Sequence, residues 1–117
     1  MPVAAHAHGI EGIRRAVEAG VTTIEHCSYV TETNERSFDE PLAAMIAEQG
    51  IFVCPTINVN APYVAELTGI VVGEHLMTMR DMGVRIIAGT DTGIDNTPHH
   101  QYAGGLEYVI YGGCRPS

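Results

Sequence analysis

Histidine and aspartate residues stand at the ends of several short apolar segments of this chain. His6 follows the segment PVAA, His26 follows VTTIE, and Asp91 follows VRIIAGT. Ionisable groups are costly at a buried strand end unless they are paired or bound to a ligand. Histidine and aspartate are common ligands of zinc and related metals, and aspartate also serves as a base. The three residues therefore indicate a metal or catalytic site, provided that the fold brings them together.

A repeat of glycine followed by a β-branched residue marks the start of the later segments. Gly20, Gly50 and Gly83 are separated by about the length of one strand–helix unit. Each follows an amphipathic pattern, so we expect a helix that ends at a glycine in the left-handed region, with a strand directly after it. The expected apolar stripes are Ile10, Ile13 and Val17; Leu42, Met45 and Ile46; and Leu76, Met79 and Met82.

The alternation of apolar segments and helical patterns predicts an α/β fold with parallel strands. The segments are short, apolar and β-branched, as buried parallel strands are. In such folds the loops after the carboxyl ends of the strands carry the chemistry, so His6, His26, Thr56 and Asp91 should share one end of the sheet. The four strands are expected near residues 3–7, 21–26, 51–55 and 84–89, with an extra helix around 61–72 and a last helix near 98–113.

Composition narrows the possible functions. The net charge is −8, and the six basic residues are all arginine, so a basic nucleic-acid surface is not expected. Without lysine, the chain cannot form a Schiff base or a lysine-dependent phosphate loop. No apolar run is long enough to cross a membrane. Three scattered cysteines favour a reducing cytoplasm over a disulfide framework, and 117 residues suit one domain, 1–117.

The ordered motifs of the chain resemble those of the metal-dependent amidohydrolase superfamily. They are VAAHAHGIEGIRRAVEAGVTTIEHCS, then PT, then GVRIIAGTDTG. The resemblance is nearest to the branch of imidazolonepropionase-like enzymes and zinc-dependent Xaa-Pro dipeptidases. It implies a partial (β/α)8 barrel whose four parallel strands are equivalent to strands five to eight, with outer helices. The chain would be the C-terminal part of a barrel domain that usually needs about 250 residues.

The resemblance also implies roles for individual residues. His6 and His26 match the metal-binding histidines that end strands five and six. Asp91 matches the strand-eight aspartate, which binds metal and takes the proton of the attacking water. The implied activity is metal-dependent hydrolysis of amide-type C–N bonds in small molecules or dipeptides.

The chain departs from the family pattern at the other metal ligands. The His-x-His pair of strand one has no counterpart before HAHG, and a carboxylated lysine cannot exist in this chain. The intact family enzymes hold one or two divalent ions, usually zinc. Because two histidines rarely hold zinc tightly, we expect weak or absent metal binding by this chain alone.

Several neighbouring residues allow more than one interpretation. His8 could contact substrate, chelate an ion together with His6, or be a loop histidine. Thr56 is expected to line the site. Glu25 should point opposite His26, towards the helices, in a structural ion pair. Pro98 marks a helix start, and the histidines after it, His99 and His100, are either substrate contacts or solvated. His75 is expected at the surface, and Cys27 and Cys54 as buried thiols.

Two other functions compete with the hydrolase. The segment DTG at residues 91–93 is also the aspartic-protease signature, but those enzymes are all-β, whereas this chain is rich in helical patterns. The stronger alternative is a non-catalytic half-barrel or oligomerising scaffold with an incomplete metal site. Half a barrel exposes two sheet edges and an inner face, so we expect a homo-oligomer.

Overall fold

The computed structural model describes residues 1–68 and 73–110. Four strands form one parallel sheet in the order β1-β2-β3-β4. This confirms the predicted α/β fold, a partial (β/α)8 barrel with four parallel strands and outer helices. The strands are β1 (Ala4–Gly9), β2 (Thr23–Val30), β3 (Phe52–Cys54) and β4 (Arg85–Ile86). The helices are α1 (Ile10–Ala19), α2 (Glu40–Gln49), α3 (Ala61–Thr68), α4 (Leu76–Asp81) and α5 (Tyr102–Ile110), the last preceded by a 3₁₀ turn, His99–Gln101.

The glycine repeat is confirmed by the backbone. Gly20, Gly50 and Gly83 have φ angles of 69°, 67° and 95°, and each follows a helix. A residue without a side chain adopts this left-handed conformation at little cost, so the chain can turn directly from helix to strand. At the other end of α2, the Asp39 side chain caps the helix by accepting a hydrogen bond from the backbone N–H of Leu42 at 2.9 Å.

The core lies between the sheet and the helices. Ala7, Ile24 and Val53 of the strands are buried together with the apolar stripes of the helices. Because strand side chains alternate between faces, their neighbours lie on the opposite face of the sheet. We call that opposite side the open face; its residues are Ala4, His6, Thr23, Glu25, Phe52, Cys54 and Arg85.

The open face carries charged side chains as well as apolar ones. Glu25 and Arg85 carry charges on it, and the Arg85 guanidinium lies over the Phe52 ring at 5.5 Å from the ring centroid. β1 and β4 are the edge strands of the described sheet. The described residues include no helix that is both long and apolar enough to span a membrane.

Strand and helix limits differ from the prediction in informative ways. β2 continues to Val30 instead of ending near residue 26, whereas β4 contains two residues instead of about six. After β4, the backbone at Gly89 lies close to the Cys54 side chain. A Cβ atom added to residue 89 would lie 2.5 Å from Sγ of Cys54. The predicted helices near 61–72 and 98–113 are present as α3 and α5, and residues 69–72 and 111–113 lie outside the described residues.

Candidate metal centre

Three histidine rings meet where β1 and β2 end. His6 and His8 lie on β1 and share one side of the strand, because alternate residues point the same way. The His26 ring centroid lies 4.5 Å from that of His6 and 4.2 Å from that of His8. One nitrogen from each of the three rings lies within 4.8 Å of the other two. We call these three residues the histidine cluster. Of the alternatives left open for His8, this arrangement favours the one in which it chelates an ion together with His6.

An irregularity in β2 brings His26 into this cluster. In a regular strand His26 would share the face of Ile24, which is buried towards the helices. The φ angles of His26 and Cys27 are 71° and 50°, so the alternation breaks at these two residues. The pairing shows the same break, because Ala7 pairs with His26 whereas Gly9 pairs with Val30. A bulge of this kind re-aims a side chain, and here it turns His26 towards His6.

The same bulge corrects the expectation for Glu25. Glu25 pairs with His6 in the β1–β2 register and lies on the open face, not towards the helices. Its carboxylate accepts a hydrogen bond from the Thr23 hydroxyl at 2.8 Å, and the described residues give it no ion pair. The expectation failed because it assumed unbroken alternation through His26. Glu25 is thus a carboxylate directly beside the cluster.

Hydroxyl groups orient two rings of the cluster. The Thr56 hydroxyl donates to the Pro55 carbonyl at 2.8 Å, so it accepts from Nδ1–H of His26, at 2.7 Å. This arrangement leaves the lone pair of His26 Nε2 directed at Nδ1 of His6, 2.9 Å away. Similarly, Nδ1 of His8 lies 3.0 Å from the Ser28 hydroxyl, which leaves its Nε2 available. Metal-binding histidines in proteins are typically oriented by such a bond on the other ring nitrogen.

The surroundings of His26 and His8 favour the neutral form of these two imidazoles by lowering their pKa values. Burial lowers the pKa of His26, the neighbouring His6 lowers it further, and the charges of Asp91 and Glu25 partly offset both effects. Burial also lowers the pKa of His8, followed by His26, His6 and Arg36, with Asp91 acting in the opposite direction. A neutral imidazole is the form that binds a metal.

Asp91 lies near the histidine cluster but outside it. Its charge acts on both His8 and His26, so it shares the carboxyl end of the sheet with them, as the sequence predicted. Asp91 is exposed and has a φ angle of 53°. It begins a tight loop in which Gly93 N–H donates to the Thr97 carbonyl at 2.9 Å. This hydrogen bond closes the loop that directly follows Asp91.

Non-glycine residues in the left-handed region recur at the strand ends. His26 lies within β2, and Thr56 and Asp91 lie in the loops after β3 and β4; their φ angles are 71°, 53° and 53° respectively. This conformation is uncommon for residues with a side chain, and for a β-branched threonine it is strained. Strained backbone is concentrated at functional sites, where the surrounding fold maintains it. Cys27, Tyr29, Asn34 and Asn96 share this conformation, so it accompanies three of the predicted site positions without being confined to them.

The remaining candidate residues have different surroundings. Nδ1 of His99 lies 3.2 Å from the Thr92 hydroxyl, so His99 contacts the loop after Asp91. His100 is exposed, and no side-chain contact is described for it. His75 was expected at the surface, but its ring stacks on Phe38 with centroids 4.6 Å apart and lines a cavity beside His26. The amphipathic pattern of α4 did not include His75, so no sequence pattern indicated this contact.

The two described cysteines lie outside the histidine cluster. Cys27 and Cys54 are both buried and unpaired, as expected. Burial raises the pKa of Cys27 to about 12 and that of Cys54 to about 11. A thiol binds metal as a thiolate, so both remain neutral at physiological pH.

Comparison with known proteins identifies similar solved structures. The chain is 28% identical to a Xaa-Pro dipeptidase crystallised with methionine in its active site, with a TM-score of 0.73 over 97% of this chain and 30% of that one. It is 30% identical to the ochratoxinase of A. niger, with a TM-score of 0.69 over 96% of this chain and 26% of that one. A prolidase complexed with N-methylphosphonate-L-proline is 26% identical, with a TM-score of 0.62 over 96% and 29%.

The sequence-based comparisons add no further relative. No family model and no curated protein matches the chain. The chain spans less than a third of the length of the solved structures that it matches. Nearly all of this chain is nevertheless covered in each match, so the similarity includes both the sheet and the loops that carry the histidine cluster.

Proposed function

We propose that this chain is the C-terminal, metal-binding part of a hydrolase of the amidohydrolase superfamily, acting on amide-type C–N bonds in small molecules or dipeptides. The observation that carries this proposal is the convergence of three imidazole nitrogens within 4.8 Å at the carboxyl end of a parallel sheet. The similarity to a Xaa-Pro dipeptidase and to a prolidase supports the bond type.

The histidine cluster fits a divalent metal such as zinc. Catalytic zinc sites use three protein ligands and keep a fourth position open. Two ligand nitrogens of a tetrahedral zinc site lie about 3.3 Å apart, given zinc–nitrogen bonds of about 2.0–2.1 Å. The nitrogens of His6 and His26, 2.9 Å apart, need to separate only slightly. With His8 as a third ligand, we expect each chain to bind one ion. This binding should be tighter than the weak or absent binding that was expected from His6 and His26 alone.

Asp91 is the proposed catalytic residue. A bound divalent ion would supply the positive charge that makes a water molecule acidic and polarises a carbonyl group. The carboxylate of Asp91, near His8 and His26, would accept the proton of that water and pass it to the leaving nitrogen. Binding of the ion by Asp91 is proposed as a second role of this carboxylate. Thr56 would hold His26, and His99 would support the Asp91 loop.

Hydrolysis of Xaa-Pro dipeptides by the zinc-loaded chain tests the function. Asp91→Asn should lower kcat by at least about 100-fold, the contribution of a general base, while zinc binding persists. Asp95→Asn is the matched control, because Asp95 is an exposed acid of the same loop. Full activity of Asp91→Asn, or activity that survives a chelator, would contradict the proposed mechanism.

The second candidate is a non-catalytic scaffold that associates through its sheet. The edge strands β1 and β4 of the described sheet favour the scaffold, because the unpaired backbone groups of an edge strand can pair with another chain. We expect a homo-oligomer under either function. Light scattering at micromolar concentration distinguishes an oligomer from a monomer. Oligomers without any dipeptide hydrolysis would favour the scaffold.

A further inference from the structure

We propose that Arg36 binds a carboxylate of the substrate beside the histidine cluster, so that the substrates are amides with a free carboxylate group. This inference rests on the proposed function, because it names the substrate class of that site. Neither the motifs nor the expected site residues included Arg36. The observations that carry it are a hydrogen-bonded hairpin, a cavity shared with His26, and a guanidinium that forms no ion pair with any of the described residues.

A short hairpin after β2 fixes the position of Arg36. Arg36 forms an antiparallel bridge with Val30, and the next N–H along, that of Ser37, donates to the Tyr29 carbonyl at 2.9 Å. The turn between them is closed by a hydrogen bond from Thr31 N–H to the Glu35 carbonyl at 2.7 Å. Tyr29 itself is fully buried. The backbone of Arg36 is thus anchored to the core.

The Arg36 side chain lies next to the cluster. Arg36 and His26 line the same cavity of about 20 Å³, together with Ser28, Glu74 and His75. Ser28 also contacts His8, so the cavity is continuous with the groups that orient the cluster. A ligand that reached the open nitrogens of the cluster would therefore lie within reach of a guanidinium.

The guanidinium is only partly satisfied within the described residues. Arg36 is half-buried, and burial lowers its pKa while the charge of Glu74 raises it. No carboxylate in the described chain lies within ion-pair distance of it, and none of its side-chain N–H groups has a described acceptor. Arg14, Arg15 and Arg80 differ, because each pairs with a carboxylate. A half-buried guanidinium with unused donors favours a planar anion that accepts two hydrogen bonds, and a carboxylate is such a group.

Two related probes separate this role from a structural one. The first probe is glycyl-L-proline, which has a carboxylate, and the second is glycyl-L-prolinamide, which lacks it. Isothermal titration calorimetry on the full chain should give at least about 10-fold tighter binding of the acid, the usual size of a charge-assisted hydrogen bond. Arg36→Gln should weaken binding of the acid by about 10- to 100-fold and leave the amide unchanged. Arg36→Lys should retain part of the preference, because it keeps the charge without the planar fork.

Control measurements separate carboxylate binding by Arg36 from effects on folding and on hydrolysis. Arg15→Gln, at an exposed and remote arginine, should preserve the wild-type ratio of acid to amide binding. Thermal unfolding of Arg36→Gln should match wild type, so that lost binding is not lost folding. Repeating the titration in chelator separates this inference from the hydrolase proposal, because the acid-to-amide ratio requires no turnover. An unchanged ratio in Arg36→Gln, or a wild-type chain that binds both probes equally or neither, would overturn the role of Arg36.

Discussion

The first and second halves of the described chain position their site residues by different means. In the first half, β1 and β2 contain six and eight residues and carry the histidine cluster directly. In the second half, β3 and β4 contain three and two residues, and Asp91 lies in the loop beyond them. A ligand set on long paired strands is held by many backbone hydrogen bonds. A catalytic group on a loop depends on a few side-chain contacts.

Those few contacts are identifiable in the second half. The Asn60 amide donates to the Asn96 carbonyl at 2.9 Å and to the Thr97 hydroxyl at 3.0 Å, which ties the loop after β3 to the Asp91 loop. A Cβ atom at Gly105 would lie 2.8 Å from Thr90 Cγ2, so α5 packs directly on the residue before Asp91. The proposed metal binding by the histidine cluster and the proposed proton transfer by Asp91 thus depend on separately stabilised parts of the fold.

The largest stability difference between the halves should come from adding one methyl group to a glycine in each. Gly89→Ala places a Cβ 2.5 Å from Cys54 Sγ and should lower the free energy of unfolding by about 1–3 kcal/mol. Gly12→Ala in α1 makes an ordinary contact of 3.7 Å and should raise it by up to about 1 kcal/mol. Urea unfolding measures both. Equal changes in the free energy of unfolding of the two variants would contradict the difference between the halves. Recovery of the stability of Gly89→Ala on adding Cys54→Ala would show that the clash is with the Cys54 side chain.

Removing the Asn60 side chain should loosen the second half alone. Asn60→Ala loses two hydrogen bonds and should cost about 1–2 kcal/mol. Hydrogen exchange should become faster in residues 91–97 and stay unchanged in β1 and β2. Asn34→Gly is the matched control in the first half, because glycine suits the left-handed φ of 61° at that position. Faster exchange around His6 and His26 in Asn60→Ala would show that the halves are not independent.

Acid should destabilise the first half by a smaller amount. Because the folded pKa values of His8 and His26 lie below 6.5, the unfolded chain binds more protons just below that pH. In chelator, the free energy of unfolding should therefore fall as the pH decreases through about 6.5. Carboxylates contribute a background slope, so the comparison is with His8→Gln and His26→Gln, which should show a shallower fall. Identical slopes in wild type and both variants would contradict a depressed pKa.

The regular part of the fold followed from sequence patterns. Gly20, Gly50 and Gly83 were predictable because few other residues end a helix in the left-handed region and lead directly into a strand. The shared location of His6, His26 and Asp91 followed from the same repeat, since parallel strands end on one side.

The departures from regularity had no such signal. The bulge at His26 and Cys27 allows both Glu25 and His26 to lie on the side of His6, which reverses the expected face of Glu25. Nothing in VTTIEHCS distinguishes a bulged strand from a regular one. Arg36 and His75 approach the cluster through long-range packing of a hairpin and a helix start. Sequence periodicity describes contacts within an element, and these contacts lie between elements.

Metal titration of the purified chain tests the central claim most directly. Cobalt(II) is a spectroscopic substitute for zinc, and its visible absorption reports both the number of ions and the ligand type. We predict one ion per chain, with a spectrum typical of nitrogen and oxygen ligands, displaced by zinc and lost in His6→Gln, His8→Gln and His26→Gln but retained in His100→Gln. Binding that persists in His8→Gln at wild-type affinity would remove His8 from the site. A chain that takes up no ion, or one whose spectrum shows thiolate ligation, would contradict the three-histidine centre.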